Sequence, residues 1–154
     1  MNDNIGNFME ITPKIFIGDK LTYIQNKNIQ NVVYVCATNT ADINIGQETK
    51  LKGNTLFLNL FGTKEFSEIN KDAIKTFIDF YIKNKDKTFI LFCDHGLCKS
   101  VSLAFLCLIL DNDIRIKANT FNEALTKFYN IFPDYKPNKG LIVYIEKFWE
   151  LFYV

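Results

Sequence analysis

Of all the residues in this sequence, Cys93, at the end of an apolar run, has the neighbours best suited to a catalytic nucleophile. Residues 89–92 are apolar and end at Cys93, a short segment with one glycine follows, and a helical pattern begins near Lys99. A strand–loop–helix turn of this kind points several backbone N–H groups and the positive end of a helix at one place, which suits a phosphate dianion. A thiol placed there is favoured as the thiolate, the nucleophilic form of cysteine. The segment therefore predicts a phosphate-binding loop with Cys93 as a covalent nucleophile.

The same residues allow three other interpretations. Cys93, His95 and Cys98 are three possible metal ligands within six residues, but no second cluster in the sequence supplies a fourth, so we expect no metal. Cys98 could form a disulfide with Cys93 that protects it from irreversible oxidation. Without further support, Cys93 could also be a buried structural thiol at the end of a strand.

Composition is typical of a folded protein inside the cell. Hydrophobic residues make up 48% and charged residues 23%, and the formal net charge of +1 provides no field that would attract nucleic acid or a membrane surface. The first residues are polar and lack the apolar segment of a secretory signal, so we expect a cytoplasmic or nuclear protein whose four cysteines are free thiols. Residues 101–110 are apolar but only half as long as a membrane span, which predicts a buried helix.

Short β-rich runs alternate with helical patterns along the chain. Clusters of β-branched and aromatic residues predict strands at residues 14–17, 31–36, 55–60 and 88–93. Helical periodicity and capping residues predict helices at 70–83, at 120–129 and after Pro137-Asn138. Residues 42–53 are polar and typical of a loop. We therefore predict one α/β domain over residues 1–154, with a central, mostly parallel sheet flanked by helices.

The segment from Cys93 to Ser100 resembles the signature of the cysteine-dependent protein phosphatases, in which a cysteine is followed after five residues by an arginine and then a serine or threonine. Cys93 matches the nucleophile, Gly96 the internal glycine, Lys99 the arginine position and Ser100 the hydroxyl.

Flanking segments resemble the dual-specificity subgroup of that family in the same order, over about residues 11–152. Residues 11–18 are similar to its opening strand, residues 28–35 to its next helix-to-strand step, and residues 123–125, 132–133 and 137–138 to the segments after the loop. The resemblance implies a protein tyrosine phosphatase-like fold, no cofactor and a phosphorylated protein or peptide as partner. It assigns catalytic roles to Cys93, Lys99 and Ser100, and phosphate binding to Asp94, His95, Gly96, Leu97, Cys98, Lys99 and Asn138.

Three departures from the family pattern bear on activity. Lys99 replaces an arginine whose planar fork holds two phosphoryl oxygens, at a cost of roughly 1.5–3 kcal/mol in the transition state. Phe92 occupies the place of the histidine that precedes the nucleophile. The family's general acid is an aspartate about thirty residues before the cysteine; residues 58–65 contain none, and Glu65 is the nearest carboxylate. Losing a general acid costs about 10²–10⁴-fold, so together we expect a rate roughly 10³–10⁶-fold below that of an intact enzyme.

Two functions remain open on this basis. One is a domain that binds phosphorylated tyrosine, serine or threonine, with hydrolysis weak or lost. The other is a genuine but slow phosphatase that acts through a phosphocysteine at Cys93. An RNA 5′-phosphatase is a third interpretation, prompted by His95-Gly96 and weakened by the lack of a glycine after Ser100.

Overall fold

The computed structural model describes residues 8–19, 30–37, 49–60, 63–93 and 98–153. The strands are β1 (Phe8–Thr12), β2 (Ile15–Gly18), β3 (Val32–Cys36), β4 (Lys50–Lys52), β5 (Thr55–Phe57) and β6 (Thr88–Phe92). The α-helices are α1 (Lys71–Lys83), α2 (Lys99–Leu110), α3 (Phe121–Ile131) and α4 (Lys139–Phe152), and short 3₁₀ turns lie at Phe66–Glu68 and Ile114–Ile116.

The six strands form one sheet in the order β1-β2-β6-β3-β5-β4. The four inner strands, β2, β6, β3 and β5, are parallel to one another, and each of the two edge strands is antiparallel to the inner strand beside it. The predicted α/β class with a mostly parallel central sheet is therefore confirmed. Because parallel strands point the same way, the segments that follow them meet at one edge of the sheet, and Cys93 follows β6 near its centre.

The helices pack on one face of the sheet. Val33, Val35, Phe89 and Leu91 contribute that face and join the helices in the larger apolar cluster. Helix α2 is buried along its length, since every residue from 100 to 109 is buried, as its uninterrupted apolar sequence predicts. No helix among the described residues is long and apolar enough to cross a membrane.

The opposite face carries a smaller apolar cluster that includes Tyr34, Cys36 and Phe92. Alternate residues of a strand point to opposite faces, which explains why Val35 and Cys36 belong to different clusters. Phe92 is fully buried there, so the residue in place of the family's histidine is a core side chain on the face opposite the four described α-helices.

Residues 42–48 of the loop predicted at residues 42–53 lie outside the described residues, and the prediction is wrong at the end of that range. Lys50–Lys52 pair with β5 in an antiparallel hairpin, and the turn places Gly53 at φ +60°, which glycine adopts without strain. All three residues of β4 are exposed, so the sequence lacks the alternation of buried and exposed side chains that would predict this strand. In contrast, β5 ends at Phe57, earlier than predicted, although the N–H of Leu58 still donates to the carbonyl of Cys36 at 2.9 Å.

Candidate functional site

The side chain of Cys93 meets the first turn of helix α2. Cys93 follows β6 directly and is 6% exposed. Its Sγ lies 3.3 Å from the Oγ of Ser100, a residue buried in the first turn of α2, and either atom can be the donor. The two ends of the predicted phosphate-binding loop are thus brought together. A hydroxyl in this position can donate a hydrogen bond to a thiolate at Cys93.

The middle of the loop lies outside the described residues. Four of the predicted phosphate-binding residues are affected: Asp94, His95, Gly96 and Leu97. Their roles stay predictions. The description resumes at Cys98, which is the N-cap of α2, and at Lys99, which is half-buried at the first position of the helix. Lys99 therefore lies at the positive end of a twelve-residue helix, where an anion is stabilised.

The carbonyl of Cys98 is held by two groups of Ser102. The Ser102 N–H donates to it at 2.9 Å, and the Ser102 hydroxyl donates to it at 2.7 Å. The hydroxyl of Tyr135 lies 2.6 Å from the same Ser102 Oγ. Because the Ser102 proton goes to the carbonyl, Tyr135 is the donor in this pair. Sequence reasoning missed both residues, although a serine inside the apolar run 101–110 was a signal, since a buried hydroxyl requires a partner.

Asn138 connects the end of the loop to a second segment of the chain. It is the N-cap of α4, yet its side chain makes no cap hydrogen bond and instead donates to the Oγ1 of Thr63, which is buried. Its backbone N–H contacts the thiol of Cys98. The structure therefore places Asn138 beside the loop, in contact with Cys98 through its backbone. Its predicted phosphate-binding role stays a prediction.

The environment of Cys98 favours its neutral thiol. Burial raises the pKa of the Cys98 thiol, and the neighbouring Cys93 acts in the same direction, whereas the Asn138 N–H and the Lys99 charge oppose the shift. Cys36, Cys93, Cys98 and Cys107 are all free thiols in the structure.

Residues 63–65 are locked against the beginning of α4 at a site where only glycine fits. The N–H of Gly140 donates to the carbonyl of Lys64 at 3.0 Å, and a methyl group at Gly140 would lie 2.5 Å from the carbonyl carbon of Glu65. The N–H of Glu65 is in turn bound at 3.0 Å by a carboxylate oxygen of Glu68. The exposed carboxylate of Glu65 therefore lies on a fixed segment that contacts Asn138 through Thr63. Phe61 and Gly62, which precede this segment, lie outside the described residues.

Comparisons with known proteins identify the fold. No protein-family model and no curated protein matches the chain. Among solved structures, a leucine-rich repeat and phosphatase domain containing protein from Entamoeba histolytica matches with a TM-score of 0.63 and 17% identity, over 98% of this chain and 97% of that one. The human tyrosine phosphatase-like serine/threonine/tyrosine-interacting protein matches with a TM-score of 0.62 and 14% identity, over 96% and 98% of the two chains. PTPMT1 in complex with PI(5)P matches with a TM-score of 0.64 and 12% identity, over 94% and 96%.

These structures share one fold with the chain along almost its whole length. The predicted protein tyrosine phosphatase-like fold is therefore confirmed.

Proposed function

We propose that the chain binds phosphorylated tyrosine, serine or threonine side chains at the loop from Cys93 to Ser100, and that it hydrolyses them weakly or not at all. The observation that carries this proposal is the 3.3 Å contact between the Cys93 thiol and the Ser100 hydroxyl at the start of α2. These are the two residues that match the nucleophile and the hydroxyl of the phosphatase signature. Their contact is what that signature requires of a working loop.

Phosphate binding follows from the groups that surround this contact. The first N–H groups of a helix have no partner within the helix, so those of α2 favour an anion at its beginning. Lys99 adds a positive charge at the same end. The related folds include proteins described as phosphatases and one in complex with the phosphoinositide PI(5)P, so a phosphorylated substrate is the shared chemistry.

Hydrolysis would require two steps in which bonds and protons balance. The Cys93 thiolate attacks phosphorus, the S–P bond forms, and the P–O bond to the substrate breaks; the departing oxygen needs a proton from a general acid. Water then attacks the phosphorus of the phosphocysteine while a base accepts one of its protons; the new P–O bond forms, the S–P bond breaks, and inorganic phosphate and the Cys93 thiolate are released, with the Ser100 hydroxyl able to donate a hydrogen bond to that thiolate. Lys99 stabilises the equatorial oxygens as a single point charge, without the two parallel bonds of an arginine. Binding is therefore less impaired than turnover.

A slow phosphatase is the second candidate, and the attachment of the Glu65 segment to the beginning of α4 supports it. Its segment is fixed to α4 by the close approach of Gly140 and contacts Asn138 through Thr63. A carboxylate on such a segment is a candidate proton donor for the departing oxygen, in place of the missing aspartate.

Paired binding and turnover assays test the proposal. Titration by fluorescence anisotropy should show that a phosphotyrosine peptide binds more tightly than the same peptide without phosphate. Lys99→Glu should abolish that preference because it reverses the charge at the start of α2, whereas Lys75→Glu, on an exposed position of α1, should preserve it. Equal affinity for the two peptides would overturn the proposal. Repeated turnover, with phosphate released in molar excess over the protein and abolished by Cys93→Ser, would establish the second candidate instead.

A further inference from the structure

The geometry points to a second binding site, a groove between helix α1 and the β4–β5 hairpin, that takes an acidic peptide segment with a bulky apolar side chain from a partner protein. The groove has a volume of about 660 Å³ and is bounded entirely by described residues. We call it the α1 groove. It does not depend on the function proposed for Cys93.

The floor of the α1 groove is apolar. Val33 and Leu56 form its base and are nearly inaccessible, and Phe80 lines its helical side. Leu51 lies directly opposite Leu56 in the antiparallel ladder, so its side chain is on the same face of the sheet. Leu51 is nevertheless 55% exposed, which leaves a large apolar side chain in solvent at the mouth of the groove.

The rim of the α1 groove carries an excess of positive charge. Lys50, Lys83 and Lys87 line it together with one carboxylate, that of Asp79. In the part of the chain that the structure describes, none of these three lysines forms an ion pair. Lys85, between the last two, behaves differently: its ammonium pairs with Asp111 away from the groove. Three lysines around an apolar floor, without ion-pair partners among the described residues, are complementary to an apolar side chain flanked by carboxylates.

The α1 groove is distant from Cys93. It reaches the turn at Gly53 and Asn54, which precedes β5, and Lys87, which precedes β6. Cys93 follows the other end of β6, and a five-residue strand is about 17 Å long. A peptide in the groove therefore does not occupy the loop at Cys93.

The dimensions of the α1 groove suit a short extended peptide. Its helical wall runs from Thr76 to Lys87, and the part inside α1, from Thr76 to Lys83, is about 10 Å long. That length holds three to four residues of an extended chain. A single apolar anchor with acidic residues on both sides fills it.

Fluorescence anisotropy with labelled peptides tests this site. The probe is a pentapeptide with a central phenylalanine and two glutamates on each side; the control peptide has lysines in place of the glutamates. The acidic probe should bind, and its affinity should fall several-fold between low and physiological salt, because Lys50 and Lys83 are exposed and Lys87 is only half-buried, so salt screens their charges. Combining Lys50→Glu with Lys87→Glu should weaken binding at least tenfold at low salt, and Leu51→Ser should weaken it about threefold or more.

The test also needs a charge-matched control variant and must distinguish a peptide from a second copy of the chain in the α1 groove. Lys75→Glu changes the same charge on α1 but outside the groove, and it should leave the affinity unchanged. Circular dichroism checks that each variant is folded. Three results would overturn the proposal: no binding of the acidic probe at millimolar concentration, equal binding of the lysine-flanked peptide, or a dimer of the protein that the Lys50→Glu and Lys87→Glu exchange dissociates. The last result would make a second copy of the chain the occupant.

Discussion

The hydroxyl of Tyr135 donates a hydrogen bond to the Ser102 hydroxyl, 2.6 Å away, and the Ser102 hydroxyl in turn donates one to the carbonyl of Cys98. Tyr135 is 4% exposed and is enclosed by the rings of Phe128 and Tyr129. A buried aromatic hydroxyl on the segment before α4 therefore fixes the backbone at which the predicted phosphate-binding loop ends.

Removing this hydroxyl should destabilise the protein modestly. Tyr135→Phe keeps the ring and deletes one buried hydrogen bond, so the free energy of unfolding should fall by about 1 kcal/mol, measured by urea denaturation. Tyr129→Phe is the matched control, because Tyr129 is half-buried on the neighbouring turn and its hydroxyl forms no hydrogen bond within the described residues. Equal effects of the two substitutions would show that the Tyr135–Ser102 bond contributes nothing specific.

The close approach at Gly140 predicts a larger effect. Gly140→Ala would place a methyl group 2.5 Å from the Glu65 carbonyl carbon and 2.6 Å from the Thr63 oxygen, and both are backbone atoms that cannot rotate away. The beginning of α4 or the 63–65 segment must shift, and we expect a loss of about 1–3 kcal/mol in the free energy of unfolding, which urea denaturation would measure.

Gly53 is the control position for the glycine-to-alanine substitution, because a methyl group fits there without a close contact. Gly53→Ala meets no atom within 4 Å, so only its positive φ opposes the change, at a cost of about 1 kcal/mol. If Gly140→Ala proves no more destabilising than Gly53→Ala, the contact between α4 and Glu65 is looser than the structure shows.

The elements that the sequence predicted well are those with a strong local signal. Helix α3 begins where the capping pair Thr120 and Glu123 indicates, and the Thr120 side chain accepts the Glu123 N–H at 3.2 Å. The parallel inner strands are apolar runs, and Cys93 and Ser100 meet as the phosphatase signature implies.

The features that the sequence did not predict depend on contacts between distant segments. Strand β4 has no buried face, and it forms because the backbone of β5 provides a partner. The Tyr135–Ser102 bond joins residues 33 positions apart, and the Asn138–Thr63 bond joins residues 75 apart. Periodicity and propensity describe neighbours within one element, so they cannot show which polar groups meet after folding.

The raised pKa of Cys98 predicts slow modification of this thiol at neutral pH. Alkylation requires the thiolate, so its rate at Cys98 should reach half its maximum above the ~8.5 of an ordinary cysteine. Site-resolved mass spectrometry after iodoacetamide treatment between pH 6 and pH 10 would measure that midpoint. Cys93→Ser should move the midpoint downward, because a neighbouring thiolate at residue 93 disfavours a second negative charge.

Cys107 is the internal control for this experiment. It is fully buried in α2, and burial raises the pKa of its thiol, so it should be modified only when the protein opens. A midpoint for Cys98 at or below the ordinary value would contradict the assigned effect of burial.

Exchanging Lys99 for arginine should restore part of the catalytic rate. Arginine returns a second charge-assisted hydrogen bond to the oxygens that gain charge in the transition state, and 1.5–3 kcal/mol corresponds to about 10- to 100-fold in rate. Hydrolysis of an aryl phosphate under single-turnover conditions would measure it. Lys139→Arg, the same exchange at the exposed first residue of α4, should change nothing.

Comparing substrates with good and poor leaving groups then distinguishes the binding domain from the slow phosphatase. An aryl oxide departs with little protonation, whereas the oxygen of phosphoserine needs a proton, so rescue by Lys99→Arg should be larger on the aryl phosphate if no general acid is present. If Glu65 supplies that proton, Lys99→Arg should raise both rates equally, and adding Glu65→Gln should lower only the phosphoserine rate, by about 10²-fold or more. Rescue confined to the aryl phosphate and insensitive to Glu65→Gln would support a binding domain that lacks a general acid. No rescue on either substrate, together with no preference for phosphopeptides, would mean that the Cys93–Ser100 contact survives only as part of the fold.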